Sequence, residues 1–168
     1  MPHFSRLLLA ALCLAGCGPS IQNASPTVQT EALSFVPAGG KSRIYVYRAG
    51  GFVGSGVALK VAVDSQVIGE TVPNSFLMIE VDSGPHLVSS PTAENDAFVQ
   101  LSALPDSCYF IKIWPKFGII TAHSGMGWME PDSARVAIRK SRMAESSWPG
   151  VPIPKADTVQ KSPSPLAQ

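Results

Sequence analysis

The sequence predicts a mainly β protein, a compact antiparallel β-sandwich of about seven strands with one C-terminal helix. Short runs of β-branched and aromatic residues recur between residues 41 and 145, at intervals of roughly eight to twelve residues. Groups of Gly, Pro, Asn, Asp and Ser separate these runs, as expected for turns. The chain also contains 15 prolines and 14 glycines, which favours short strands over a helical bundle. An open barrel is the alternative architecture.

The first predicted strands are residues 43–48 and 59–63, with Leu59, Val61 and Val63 on one face of the second strand. Asp64 and Ser65 follow at a position typical of a tight hairpin turn, which leads into a strand at residues 66–70. The sequence therefore predicts a β-hairpin at this point.

The next strand is predicted at residues 76–81, after the break at Pro73 and Asn74. Its alternation places Leu77, Ile79 and Val81 toward the core and Glu80 toward the solvent. The remaining strands are predicted at residues 86–88, 97–101, 108–114 and 118–123.

One helix is predicted from Pro131, Asp132 and Ser133, which offer an N-cap, to about Met143. Ala134, Ala137 and Ile138 fall on one side of this helix at helical spacing. Arg135, Arg139, Lys140 and Arg142 crowd its C-terminal half. These cations complement the helix dipole, and contact with anionic lipid headgroups is the alternative role.

Residues 1–16 have the form of a secretion signal, in which Arg6 precedes an apolar run too short to span a bilayer. The segment that ends this signal, Leu14-Ala15-Gly16-Cys17, resembles the lipobox of bacterial lipoproteins. The resemblance implies cleavage before Cys17 and attachment of lipid to that cysteine, whose several acyl chains would anchor the protein. An ordinary cleaved signal with an incidental Cys17 is the alternative.

Gly18 bears on which membrane is involved, since an Asp at that position usually marks lipoproteins retained in the inner membrane. The resemblance thus implies a lipid-anchored protein of the cell envelope, which in a Gram-negative cell is expected on the outer membrane and facing the periplasm. Residues 17–40 are polar and small, which predicts a flexible tether, and residues 41–145 form the β-sandwich domain. Residues 146–168 are predicted to be a Pro-rich disordered tail.

Charge and cysteine content narrow the possible functions. The chain has 13 Lys and Arg against 12 Asp and Glu, so it lacks the cationic character of a nucleic-acid-binding protein. If the signal is cleaved and Cys17 is lipidated, as the resemblance implies, Cys13 is removed and Cys108 has no partner for an intrachain disulfide. Cys108 begins the most apolar strand and is expected to be a small buried hydrophobic residue, with a reactive thiol as the alternative.

The pattern as a whole resembles a domain-of-unknown-function family of bacterial lipoproteins with a small PEGA-like β-domain. The stretches that carry the resemblance are residues 43–48, 51–54, 63–65, 68–70, 74–76 and 83–86. The turns at Asp64-Ser65 and Ser83-Gly84 differ from the Asp-Gly and Pro-Gly more usual in such domains. The resemblance implies a non-catalytic β-domain at the envelope and brings no catalytic residues with it.

Candidate functional residues are few. The glycine-rich stretch of residues 50–56 lacks the Lys-Ser/Thr of a P-loop, so it is interpreted as a flexible hairpin connection with Phe52 packed or exposed at its tip. Phe52 and Trp128 are candidate contact residues. His86 and His123 lack metal-ligand spacing, and the sequence predicts neither a metal nor a cofactor.

These observations predict a non-enzymatic binding or structural module for another envelope component, whether protein, peptidoglycan or glycan. The alternative is a small envelope hydrolase that uses His123 with Ser124, or His86, although no Gly-x-Ser-x-Gly nucleophile motif is present. The sequence leaves the oligomeric state open.

Overall fold

The structure is a computed structural model that describes residues 19–92, 96–116 and 123–149. Two helices and nine strands lie within these ranges. In chain order they are α1 (Pro26–Ala32), β1 (Ser42–Arg48), β2 (Leu59–Val63), β3 (Gln66–Thr71), β4 (Ser75–Val81), β5 (Gly84–Pro91), β6 (Asp96–Ala103), β7 (Cys108–Lys116), β8 (His123–Trp128), α2 (Pro131–Arg139) and β9 (Arg142–Met143). The predicted mainly β, sandwich-like fold with a C-terminal helix is confirmed.

The strands form two sheets. The larger sheet has the order β8-β7-β1-β4-β9 and the smaller sheet the order β3-β2-β5-β6. Most neighbouring strands are antiparallel, but β1 pairs with β7 and β4 pairs with β9 in parallel. The sandwich is therefore mixed rather than purely antiparallel. β1 lies at the centre of the larger sheet, with β4 on one side and β7 on the other.

The main core fills the space between the two sheets. Ile44 and Val46 of β1 pack there against side chains of the smaller sheet, including Val61 and Val63 of β2. The predicted core faces of β2 and β4 are confirmed, since Leu59, Val61, Val63, Leu77, Ile79 and Val81 are all buried. The predicted hairpin is also confirmed, because Asp64 and Ser65 both have positive φ angles, as a type I′ turn requires.

A second core lies on the outer face of the larger sheet, where the two helices cover it. Tyr45 and Tyr47 of β1 join Val28 of α1 and Ile138 of α2 in this cluster. β1 is therefore buried on both faces, which explains why every residue from Ser42 to Arg48 is shielded from water.

The structure differs from the predicted tether, because α1 lies inside residues 17–40 and packs on the sheet. Ser25 accepts a hydrogen bond from the Val28 amide as the N-cap, and Pro26 occupies the first turn. A helix this short is marginal alone, so burial of Val28 and Ala32 stabilises it. The prediction of a free tether is wrong from residue 19 onward; Cys17 and residues 1–16 lie outside the described residues.

The two ends of the described chain pair with each other. The Ala24 amide donates to the Met143 carbonyl at 3.0 Å, and the Glu145 amide donates to the Gln22 carbonyl at 2.8 Å. The segment that follows β9 continues toward β3, where the Ser147 amide donates to the Ile68 carbonyl at 2.9 Å. This segment closes the sandwich on the side of β4 and β3.

The start of the predicted disordered tail is docked. The Trp148 indole packs against the main core, and its Nε1–H donates to the Glu80 carbonyl at 2.9 Å. The tail prediction is therefore wrong for residues 146–149, and residues 150–168 lie outside the described residues.

Two further boundaries differ from the prediction. The N-cap of α2 is Glu130, whose carboxylate accepts from the Ser133 amide at 3.0 Å, and the helix ends at Arg139 rather than Met143. Of the strand predicted at residues 118–123, only His123 is described, and it begins β8, which continues to Trp128. Within the described ranges, no helix is both long and apolar enough to cross a bilayer.

Candidate functional site

The clearest candidate for function is the connection between β1 and β2, residues 49–57, here called the Phe52 loop. Phe52 is 95% exposed and its neighbour Val53 is 53% exposed. Two adjacent apolar side chains in water forfeit the stabilisation that burial would give, and such exposure commonly marks an interaction site. The loop crosses from the larger sheet to the smaller one, so it is not the hairpin connection that the sequence suggested.

Arg48 holds this loop from inside the protein. Its side chain is only 2% exposed, and its guanidinium donates to the carbonyl oxygens of Val57 and Gly54, each at 2.6 Å. A longer contact of 3.4 Å reaches the carbonyl of Thr71. Burial lowers the pKa of Arg48 from its ordinary value. Peptide dipoles thus stabilise the cation without cancelling its charge, and its hydrogen bonds hold the loop in place.

Two glycines allow the loop to pack closely against its neighbours. A Cβ at Gly54 would lie 2.4 Å from Cγ of Pro115 in β7, and the φ of Gly54 is +69°. A Cβ at Gly50 would lie 2.5 Å from the side chain of Asn74. The two glycines are therefore positions of close contact. The loop is packed against its neighbours rather than flexible as predicted, and this packing holds Phe52 in a defined position.

A groove of about 250 Å³ lies between the Phe52 loop and β7. Lys112 and Trp114 line it from alternate positions of β7, on the face opposite the main core. The Trp114 indole lies over Gly125 of β8, where a Cβ would come within 2.4 Å of the ring, and the Lys116 ammonium lies 5.9 Å from the ring centroid. Among the described residues that line the groove there is no Asp or Glu, so its charge is positive.

Trp128 does not share a surface with Phe52. It is 49% exposed, lies opposite Ile111 in the β7–β8 pair and packs against Tyr109 with ring centroids 6.1 Å apart. Residues opposite each other in a sheet point to the same face, and Ile111 belongs to the main core. Trp128 therefore faces away from the side of the sheet on which Lys112 and Trp114 lie.

His86, one of the candidate hydrolase histidines, has both ring nitrogens engaged. Nδ1 lies 2.7 Å from Oδ2 of Asp64, and Nε2 lies 2.9 Å from the carbonyl oxygen of Asp82. Burial lowers the pKa of His86, but the hydrogen bonds and the two carboxylates outweigh it, so the pKa is raised above its ordinary value. The ring therefore joins the two turns, and neither of its nitrogens is free to act as a base.

The other hydrolase candidate pairs His123 with Ser124. Ser124 is completely buried between the sheets, and its hydroxyl donates to the Ser90 carbonyl at 3.0 Å. A nucleophile has to reach its substrate, so this serine is badly placed for catalysis. His123 lies at the start of β8, opposite Lys116, and is half-buried.

A buried ion-pair cluster lies at the other end of β1. Arg43 is 3% exposed; its Nε donates to Glu80 at 2.8 Å and its Nη2 donates to Glu31 of α1 at 3.0 Å. Burial opposes the charge, but the hydrogen bond that Arg43 donates to Glu80 outweighs it, so the pKa of Arg43 is raised. The prediction that Glu80 faces the solvent is wrong: its side chain is only 10% exposed, and it lies beside Arg43 on the helix-covered face.

Cys108 lies near this cluster, half-buried, with its Sγ–H donating to the Phe35 carbonyl at 3.3 Å. Burial raises the pKa of the thiol, which disfavours the reactive thiolate. The cations of α2 are engaged as well, since Arg135 and Arg139 lie 5.5 and 5.0 Å from the ring centroid of Phe35. Packing on aromatic rings thus occupies these two arginines.

The described residues contain no group of three or more His, Cys, Asp or Glu side chains placed to hold a metal ion. Comparison with known proteins finds a Haemophilus influenzae protein, described as uncharacterized, that is 27% identical over 137 residues. The match covers 81% of this chain and 80% of that protein, so the stretch from β1 to β8 lies within it. No protein-family model matches the chain.

Proposed function

We propose that the protein is a lipid-anchored, non-enzymatic β-domain of the cell envelope that binds another envelope component through the Phe52 loop. The single observation that carries the binding role is a 95% exposed Phe52 on a loop held by the buried Arg48. Exposing a phenylalanine forfeits about 1.5–3 kcal/mol of burial energy, and desolvating an arginine costs further free energy. A binding role for the loop explains why the exposed Phe52 and the buried Arg48, each unfavourable for folding, occur together there.

The anchor is proposed from the sequence alone. The residues before Cys17 resemble a lipobox, and Gly18 favours the outer membrane with the domain in the periplasm. The chemistry of the described residues supports a non-enzymatic role, since His86 has no free ring nitrogen and Ser124 is buried. These observations weigh against the hydrolase alternative.

The anchor is tested by the intact mass of the protein from membranes, with Cys17→Ala as the comparison. The expected wild-type mass is that of a chain beginning at Cys17 plus its acyl groups, and the variant is expected to leave the membrane fraction. A wild-type chain that carries no lipid would contradict the anchor.

The contact role of the loop is tested by chemical cross-linking in intact cells. Phe52→Ser is expected to remove cross-linked adducts that Val67→Ser keeps, because Val67 is 47% exposed but lies on β3, outside the Phe52 loop. The free energy of unfolding of each variant is expected to lie within about 0.5 kcal/mol of the wild-type value, since neither side chain is buried. Equal loss of adducts from the two variants would contradict a specific role for the loop.

A further inference from the structure

The Phe52 loop and the chain that leads to Cys17 lie on opposite sides of the larger sheet. Residues 22–24 run antiparallel to residues 143–145, which lie beside β4. From Ala24 back to Gln22, the chain therefore runs beside β9 in the direction from the Phe76 end of β4 toward its Val81 end, and Ser20 and Ile21 then lie beside Ile68 and Gly69 of β3. Val81 pairs with the first residue of β1, whereas the Phe52 loop follows the last residue of β1. At Gln22 the chain is thus about 10 Å from the loop end of β1, measured along the strands.

The two features are also separated across the sheet. Residues 22–24 pair with the segment beyond β4, at the β9 edge. The Phe52 loop packs through Gly54 on Pro115 of β7, three strands away in the order β7-β1-β4-β9. At about 4.8 Å between neighbouring strands, this adds roughly 14 Å.

The link to the anchor is too short to cancel this separation. Ile21 packs against the main core, and the Gln22 carbonyl accepts from Glu145. The steps from Cys17 to Ile21 span at most about 14 Å when fully extended. A lipid on Cys17 therefore keeps the β4–β9 edge near the bilayer, with the Phe52 loop on the other side of the sheet.

We infer that the Phe52 loop and the adjoining Lys112–Trp114 groove form a docking surface for an acidic protein that approaches from the side away from the membrane. The inference rests on the proposed attachment of lipid at Cys17. Phe52 and Val53 project outward, so they fit an apolar pocket of a folded partner rather than a glycan, which offers no such pocket. The positive groove selects carboxylates at the rim of that pocket.

The orientation is tested with the lipidated protein in phosphatidylethanolamine and phosphatidylglycerol vesicles that carry a headgroup nitroxide quencher. A fluorophore is attached at Phe52→Cys or at Ser83→Cys, both in a Cys108→Ala background. Ser83 is exposed in the turn that follows β4, so it lies at the end of the strands away from the Phe52 loop. The label at position 83 is expected to lose most of its fluorescence and the label at position 52 to keep nearly all of it. Stronger or equal quenching at position 52 would overturn the inference.

A linker control separates this result from failure of the anchor. A flexible Gly-Ser insertion of about 15 residues before Pro19 adds roughly 20 Å of reach and is expected to abolish the difference between the two labels. If Cys17 carries no lipid, the protein does not float with the vesicles and neither label is quenched, which contradicts the proposed function itself.

The partner chemistry is tested by charge reversal in cells. A photoreactive phenylalanine analogue at position 52 is expected to form a protein adduct that Lys112→Glu reduces at least several-fold. The matched control is Lys60→Glu, which reverses an exposed lysine on β2 of the other sheet and is expected to leave the adduct unchanged. Adducts that are absent, or indifferent to Lys112→Glu, would overturn the acidic-partner inference.

Discussion

The two arginines of β1 are both buried, but their charges are stabilised by different kinds of partner. Arg43, at the start of the strand, pairs with the carboxylates of Glu80 and Glu31. Arg48, at its end, has carbonyl oxygens of Gly54 and Val57 as its partners. The pKa of Arg43 is raised, whereas burial lowers the pKa of Arg48. Arg43 therefore attaches α1 to the sheet through an ion pair, whereas Arg48 holds the Phe52 loop through hydrogen bonds to its backbone.

The largest expected effect comes from Arg43→Met, which leaves the carboxylate of Glu80 buried without its cation. Loss of one partner of a buried pair costs about 3–5 kcal/mol, measured as the change in the free energy of unfolding in urea. Adding Glu80→Gln to this variant is expected to restore part of that loss, because the orphaned charge is gone. A double variant no more stable than Arg43→Met would show that the cost does not come from charge.

The next effect is that of Arg48→Met, which removes the donors for the carbonyl oxygens of the Phe52 loop. We expect a loss of about 2–3 kcal/mol, since each buried acceptor left unpaired costs about 1–3 kcal/mol. Faster amide hydrogen exchange within residues 49–57 is expected to accompany it, with α1 unaffected. Arg43→Met is expected to show the reverse pattern, so exchange that rises equally in both regions would remove the distinction between the two arginines.

A smaller effect is expected from Gly54→Ala, which forces a Cβ against Pro115 at a left-handed backbone position. Overpacking of this kind costs about 1–3 kcal/mol. Gly56→Ala is the matched control, because a Cβ there meets nothing within 4 Å, and its effect is expected to stay below about 0.5 kcal/mol. Equal thermal midpoints for the two variants would contradict the close packing of the loop on β7.

The smallest effect concerns His86, at the same end of β1 as Arg43. The pKa of His86 is raised in the folded protein. The stabilisation that its protonated ring gives to the fold is therefore fully present below the ordinary pKa of 6.5, and it is lost as pH rises through the higher folded pKa. We expect stability to fall by about 0.5–1 kcal/mol across this window, as for partly exposed ion pairs. Urea midpoints between pH 5.5 and 8.5 measure it, and His86→Gln is expected to lose this decline.

Local patterns predicted the elements whose side chains alternate clearly. Leu59, Val61 and Val63 share the core face as expected, and Asp64-Ser65 forms the expected turn. β8 escaped prediction beyond His123, because Gly125 and Gly127 lack the side chains that reveal a strand. Gly125 is required by the Trp114 indole that lies over it, a contact no local pattern encodes.

Tertiary contacts decided the elements that the sequence did not predict. α1 has only Val28 and Ala32 as buried residues, so its sequence resembles a polar linker until the sheet covers them. Phe52 was a candidate because it lies at the tip of a glycine-rich connection between two predicted strands. The sequence did not predict that Arg48 holds the Phe52 loop. An arginine at the end of a strand does not indicate that the carbonyl oxygens of Gly54 and Val57 point toward it.

The hydrogen bonds between residues 22–24 and 143–145 impose an order of events on folding. Asn23 lies opposite Ala144, so nearly the whole domain must be synthesised before the first segment finds its partner. The parallel pairing of β1 with β7 likewise joins distant parts of the chain, and contacts of long sequence separation slow folding. The segment beside the proposed anchor is thus one of the last to take its place, and a truncated chain would lack the strand that receives it.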